Sequence, residues 1–217
     1  MDIEHLGHAC LRLTHDGGSL LLDPGTFSPG LDTRLGETDR LLAVLVTHAH
    51  PDHLDPELVP LLEHHAEVGA VHAEAGAADV VERAGGTPAV LQVGDRRQWG
   101  GFHLDVVGGR HAVIHPEVPR IGNVGLLLRA GGVTLFHPGD AYDTVPEGVD
   151  VLALPLNAPW TAVAGTVEFV RAVAPRVVLP IHDGLLAPAR REVYLGHVRR
   201  LGGASVHDPA TDGVLRT

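Results

Sequence analysis

The chain of 217 residues contains no lysine; its 16 basic residues are all arginine. That excludes a P-loop, whose lysine reaches a nucleotide's phosphates, and an enzyme working through a lysine Schiff base. Serine occurs only as Ser19, Ser28 and Ser205, never inside G-x-S-x-G, so the nucleophile elbow of an α/β-hydrolase is absent. The single cysteine, Cys10, permits no intramolecular disulfide and no cysteine-rich metal site. No apolar run reaches the roughly 20 residues of a membrane-spanning helix. Met1-Asp2-Ile3-Glu4-His5 offers neither the basic nor the apolar region of a secretion signal, and a soluble, cytoplasmic protein is expected. Positive charge is also short, because 27 carboxylates against 16 arginines leave a formal charge of −11. Such a surface suits no nucleic-acid partner. With 4% aromatics and no amphipathic membrane segment, no membrane partner is expected either.

What the chain does have is histidine, 16 copies of it. Imidazole is the commonest protein metal ligand and a base near neutral pH. A composition of 44% hydrophobic and 20% charged residues is that of a folded chain with a sizeable core. The length suits one domain, residues 1–217, built of two αβ halves at about 1–110 and 111–217.

Short apolar runs alternate with Gly/Pro-rich loops. Cys10–Leu13 and Ser19–Asp23 read as a strand pair joined at His15-Asp16-Gly17-Gly18, a hairpin turn signal. Leu41–Val46 reads as a strand buried on both faces, and Val68–His72 as a short one. Asp55-Pro56-Glu57 opens a helix to about His65, and Glu74–Ala84 forms another, ended by Gly85-Gly86. Residues 89–107 and 121–136 are strand-rich. Strands at Asp150–Leu154, Val177–Ile181 and Ser205–His207 then alternate with helices at Thr166–Ala174 and Arg190–Leu201. Each half therefore starts with strands and ends in helix–strand alternation, an α/β (α+β) pattern that two mixed sheets with helices outside would explain.

The strongest local signal is Thr47-His48-Ala49-His50-Pro51-Asp52-His53, directly after the Leu41–Val46 strand. Residues two apart in extended backbone point the same way, so His48 and His50 can converge on one ion. Asp52 and His53 follow at the turn and can serve a second. The group sits at the C-terminal end of a buried strand, where α/β sheets place their sites. A surface loop that merely happens to be rich in histidine is a poor account of four ligand-type residues in six positions.

Here the chain resembles the metallo-β-lactamase-fold hydrolases, whose H-x-H-x-D-H hallmark is matched by His48, His50, Asp52 and His53. Later segments match in the family's order: Gly109-Arg110-His111, Phe136-His137-Pro138-Gly139-Asp140, and Leu179-Pro180-Ile181-His182. Leu6-Gly7-His8-Ala9 and Leu21-Leu22-Asp23-Pro24 are similar to the branch that holds ascorbate-6-phosphate lactonase and N-acyl-phosphatidylethanolamine phospholipase D. The resemblance implies an αββα sandwich, the metallo-β-lactamase fold, with a binuclear site between its sheets. One ion would take His48, His50 and His111, the other Asp52, His53 and His182, and Asp140 would join them. A subclass B1 β-lactamase would carry cysteine where Asp140 stands.

Nitrogen and oxygen ligation without thiolate suits two divalent ions per chain, zinc first, with manganese or iron as alternatives. Such a pair can hold a bridging hydroxide that attacks a carbonyl carbon or phosphorus. Asp140 as the bridge and Asp52, which could also orient the nucleophile's proton, are the expected catalytic carboxylates. Asp23 could accept the free N–H of a ligand histidine or simply cap the turn before Pro24. His137 could support the site or merely pack. His8 could line the pocket or hold neighbouring loops, and His115 could reach substrate. The pocket walls should come from loops carrying Phe27, Pro29, Arg34, Arg120, Tyr142 and Trp160, though Trp160 could equally be core. The other histidines lack ligand context.

The expected function is hydrolysis of a small ester, lactone or phosphoester by this binuclear centre. Two alternatives stand beside it: an iron-dependent redox protein of the same fold, and a non-catalytic metal-binding protein. The expected partner is a small-molecule substrate, with a homo-oligomer possible.

Overall fold

The computed structural model describes residues 1–35, 41–65 and 71–217. The first sheet is drawn mainly from the N-terminal part: β1 (Asp2–Gly7), β2 (Cys10–His15), β3 (Gly18–Leu22), β4 (Leu41–Val46), β5 (Val71–Glu74) and β6 (Ala89–Leu91). Helices α1 (Leu31–Arg34), α2 (Val59–His65) and α3 (Ala75–Arg83) lie between these strands in sequence. The second sheet holds β7 (Arg96–Trp99), β8 (Phe102–Arg110), β9 (Gly122–Ala130), β10 (Val133–His137), β11 (Val151–Pro155), β12 (Val177–Ile181) and β13 (Ser205–Val206). Helices α4 (Val163–Val173) and α5 (Pro188–Leu201) accompany it. After α6 (Pro209–Asp212) the chain returns to the first sheet as β14 (Leu215–Arg216).

The strand orders are β14-β1-β2-β3-β4-β5-β6 and β13-β12-β11-β10-β9-β8-β7. In each sheet an antiparallel meander runs into parallel strands, at β3/β4 in the first and β10/β11 in the second. Parallel neighbours need a crossover, which is where the helices are.

Why the runs read as continuously apolar is visible in the pleat. Leu20 and Leu22, Ala43 and Leu45, Leu126 and Leu128, Val151 and Ala153 face the core shared by the two sheets. Leu21, Val44 and Val46 face the cluster around Leu62 and Val81 of α2 and α3. Leu127, Leu152 and Leu154 face Phe169, Val170, Leu195 and Val198 of α4 and α5. Strands buried on both faces lose the polar half of the alternation. The result is two mixed sheets flanked by helices, an α/β sandwich.

Several local expectations need adjusting. The hairpin turn is two residues, Asp16 (φ 48°) and Gly17 (φ 74°), with His15 paired to Gly18. Asp55 caps the next segment by accepting from Glu57 N–H at 2.9 Å. Its first turn, Pro56–Leu58, is 3-10, and the α-helix starts only at Val59. The short strand runs over Val71–Glu74 rather than Val68–His72, and residues 68–70 lie outside those described. The second sheet already begins at Arg96, upstream of the division expected near residue 110. Phe102, Leu104 and Val106 alternate like any half-buried strand, and nothing in that alternation says which sheet receives them. Among the described residues no helix is long and apolar enough to cross a membrane.

Candidate metal centre

Strands of both sheets deliver their C-terminal ends to one place. Thr47–His53 follows β4, His111 follows β8, Asp140 follows β10 and His182 follows β12. His48, His53, His111, Asp140 and His182 are buried there, and His50 and Asp52 are half-buried. Two groups form, each with potential ligand atoms within 4.8 Å of one another: His48, His50, His111 and Asp140, and His8, Asp52, His53 and His182. Asp140 stands between them, with Oδ1 3.3 Å from His53 Nε2 and Oδ2 3.4 Å and 3.3 Å from His111 and His182 Nε2.

The hydrogen bonds around the rings decide which nitrogens are free. His53 Nδ1 lies 2.7 Å from Asp23 Oδ2, His111 Nδ1 2.7 Å from Ala112 O, and His182 Nδ1 2.7 Å from Asn157 O. These partners are acceptors, so each Nδ1 carries the proton and each Nε2 presents a lone pair inward. His53, His111 and His182 Nε2, and Asp140 Oδ1, are buried without a hydrogen-bond partner among the described residues. Lone pairs aimed at a carboxylate 3.3–3.4 Å away repel it unless a positive charge lies between. His48 Nε2 and His50 Nδ1 face each other at 3.1 Å. Two nitrogens on one tetrahedral ion at about 2.1 Å are about 3.4 Å apart, so this pair also fits a shared cation.

Electrostatics agree in direction. Burial, then the charge of neighbouring His53, holds His48 well below the ordinary histidine range; burial and His111 lower His50. For His53 burial opposes protonation, but the Asp140 and Asp23 carboxylates outweigh it and hold its pKa well up. For His182 burial is likewise outweighed, by Asp140 and Asp52, and its pKa is raised to about 9. Burial would raise Asp140 and Asp52, yet the surrounding imidazoles hold both far below the usual carboxylate range. Two buried carboxylates thus demand positive charge, as protons on His53 and His182 or as metal cations displacing them. The residues present fit divalent cations.

His8, Asp23 and His137 resolve into distinct supporting positions. Asp23, fully buried, accepts from Thr47 N–H at 2.8 Å, Thr47 Oγ1–H at 2.7 Å and His53 Nδ1–H, so it is more than a turn cap. Thr47 Oγ1, its proton given to Asp23, accepts from His48 Nδ1 at 3.0 Å. His8 Nδ1 accepts from Gly184 N–H at 3.1 Å, which places its proton on Nε2, 3.1 Å from Asp52 Oδ2. His8 therefore donates to Asp52 and has no inward lone pair for an ion. His137 accepts from Gly139 N–H at Nδ1 and donates to Ala9 O from Nε2, both at 3.2 Å, so it ties loops together. His115 lies exposed, its Nδ1 taken by Glu117 N–H.

His8, Asp23 and His182 all have left-handed backbones (φ 50°, 45° and 56°). Strain of this kind persists only where surroundings over-determine it. Here His8 O accepts from His182 N at 2.7 Å and from His5 Nε2 at 2.8 Å. Gly25 allows the loop after Asp23 to lie on the Asp52–His53 peptide, since a Cβ there would stand 1.9 Å from Asp52 O.

Sequence reasoning missed Thr47, His5, Asn123 and a definite role for Trp160. Asn123 Oδ1 accepts from Asp140 N at 3.0 Å while its Nδ2 donates to Pro138 O, fixing the turn that carries Asp140. Trp160 Nε1–H donates to Asp140 Oδ2 at 2.9 Å. Tyr142, stacked on Phe169 at 4.4 Å and set edge-on to Trp160 at 4.7 Å, gives its hydroxyl to Pro155 O and so props Trp160 from beneath. No sequence spacing announces these contacts. Trp160→Phe keeps the ring and removes the N–H, and metal affinity is expected to fall roughly tenfold or more without loss of fold. Calorimetric zinc titration of the variant checks this; wild-type affinity would remove Trp160 from the centre's support.

Residues 2–182 match the family described as the beta-lactamase superfamily domain. Protein Rv0786c of Mycobacterium tuberculosis is 39% identical over 204 residues, 93% of this chain and 92% of that protein. A UPF0173 metal-dependent hydrolase of Carboxydothermus hydrogenoformans is 29% identical over 195 residues, covering 84% of each chain. Among solved structures, the metallo-beta-lactamase fold protein YhfI of Bacillus subtilis superposes with a TM-score of 0.75 at 14% identity, covering 99% of this chain and 98% of its own.

Proposed function

Since the chain belongs to the beta-lactamase superfamily, with the metallo-β-lactamase fold, we propose that it is a metal-dependent hydrolase with a binuclear centre, acting on a small ester, lactone or phosphoester. The observation that carries this reading is the convergence of buried, unpartnered acceptors: Nε2 of His53, His111 and His182 with Oδ1 of Asp140. His48, His50 and His111 would hold one cation, Asp52, His53 and His182 the other, with Asp140 shared. The donor set favours zinc and tolerates manganese or iron. When bound, a pair of such ions supplies Lewis acidity toward the electrophile's oxygen and acidifies a water.

The chain's own residues then do the positioning. Asp52 Oδ2 accepts from His8 Nε2–H, which fixes the carboxylate so that its other oxygen would be free for a cation or a proton of the water. Its strongly lowered pKa makes it an orienting acceptor rather than a strong base. Trp160 and Asn123 fix Asp140 from its side chain and its backbone, so that the shared carboxylate cannot swing to one half of the site.

The test is a screen of lactones, carboxyl esters, phosphodiesters and phosphomonoesters against protein loaded separately with zinc and manganese, with elemental analysis of each preparation. Two ions per chain and metal-dependent turnover of one class are expected. Loading should also raise the melting temperature, because an ion bound by the folded state alone stabilises it. Tight folding without metal uptake, and no turnover in any class, would overturn the reading.

A further inference from the structure

Beside the centre lies a hollow of about 270 Å³, walled by Ala112, Arg120, Tyr142, Asp143, Trp160 and Thr161. It adjoins the centre, because Trp160, one of its walls, gives its N–H to Asp140. A narrower slot is lined by the candidate ligands His50 and His111 together with Val113, Ile114 and Val118. Arg120 is the one residue besides Ala112 that lines both, and it is the only arginine lining either. Its Nε donates to His111 O, and Nη2 stands 3.4 Å from Asp143 Oδ2. That partner's side chain is 52% exposed, so the pair sits in water and is easily exchanged. Among the described residues Nη1 has no partner. Arg34, by contrast, is committed to Leu6 O and Glu4.

The chemistry of this corner is one guanidinium edge, two aromatic rings and a rim of exposed apolar side chains, Val113 (54%), Ile114 (38%) and Val118 (46%). A guanidinium fork matches the oxygens of a carboxylate or phosphate. The chain's net charge of −11 does not oppose this at contact range, because exposed charges are screened beyond about 8 Å at physiological salt. We propose that Arg120 is a specificity-determining residue, receiving an oxyanion group of the substrate in this hollow while an apolar portion lies against the rim. The substrate class is then an amphipathic anion. The inference rests on the hydrolase reading for the word substrate, but the binding site can be tested without turnover.

Two tryptophans, Trp99 and Trp160, give two indole N–H signals, and only Trp160 walls the hollow. Phenylacetate and its neutral analogue phenylacetamide are titrated into zinc-loaded, ¹⁵N-labelled full chain. The Trp160 signal is assigned by its loss in Trp160→Phe. Phenylacetate is expected to move that signal at least tenfold more tightly than phenylacetamide, with Trp99 unmoved. Arg120→Gln, whose amide can still donate to His111 O, should abolish the preference, and Arg120→Lys should recover part of it. A preference that survives Arg120→Gln would mean the carboxylate sits on the cations and would overturn the proposal. So would equal loss of both probes, the mark of a purely structural clamp, or no Trp160 response in the wild type. If the preference holds and no ester, lactone or phosphoester is cleaved, the hydrolase reading fails and the subsite stands. Turnover without the preference gives the reverse.

Discussion

Asp140→Ala is expected to abolish turnover and, on the binuclear reading proposed above, to leave one ion bound at most. Its carboxylate faces three buried imidazoles at 3.3–3.4 Å, from both halves of the site. The effect should exceed the roughly 10–100-fold that follows from losing an outer support of a metal site. Asp140→Asn keeps the shape and the Trp160 and Asn123 contacts within reach but removes the charge. It should fold with little loss and still fail to hold both ions, which separates a missing ligand from a collapsed loop. His64→Ala, on the exposed face of α2, is the matched control and should leave metal content and rate unchanged. Elemental analysis with a rate assay checks all three. Two ions and normal rates in Asp140→Ala would dissolve the centre as described.

The second large effect belongs to a residue that touches no ion. Asp23 is fully buried and accepts three hydrogens: Thr47 N–H, Thr47 Oγ1–H and His53 Nδ1–H. Asp23→Ala strands all three donors away from water. Breaking a buried charged network costs about 3–5 kcal/mol, a fall of roughly 6–20 °C in melting temperature for a chain of this size. Asp23→Asn separates architecture from chemistry. Its single oxygen can still serve Thr47, but its NH₂ then confronts the His53 Nδ1–H as donor against donor. Relief requires His53 to move its proton to Nε2, which takes away the lone pair offered to an ion. The asparagine variant should therefore recover much of the stability and still lose 10–100-fold in metal affinity. Melting curves and zinc calorimetry on both variants give the split. An Asp23→Asn protein that binds zinc like the wild type would show that the His53 proton position does not matter.

How much of this was readable in advance depends on how far apart the partners are in sequence. His48, His50, Asp52 and His53 were legible because one strand end and one turn bring them together, so spacing alone speaks. His111, Asp140 and His182 came from the family resemblance, since nothing local distinguishes them from His115 or His137. The roles of His8, Asp23 and His137 stayed open because each depends on which backbone group meets the second ring nitrogen or carboxylate oxygen, and chain separation hides that. Trp160 reaches Asp140 across 20 positions of loop and strand. Secondary structure fared similarly. The doubly buried strands were plain, whereas β1, in which His5 and Gly7 blur the alternation, and the two-residue β14 were not. The start of α4 at Val163 was misplaced because Gly165 argues against a helix, yet α4 carries it.

The return of the last strand has a mechanical meaning. Leu215 and Arg216 pair with Ile3 and Asp2, and Thr217 is bonded to Met1 O. The strand thus clamped runs on to the β1–β2 turn, where His8 receives the His182 loop of the opposite sheet. The molecule behaves as a loop tied at two knots, one at the chain ends and one at His8. The first strand and the turn after it therefore hold the final segment at one end and the second sheet's His182 loop at the other.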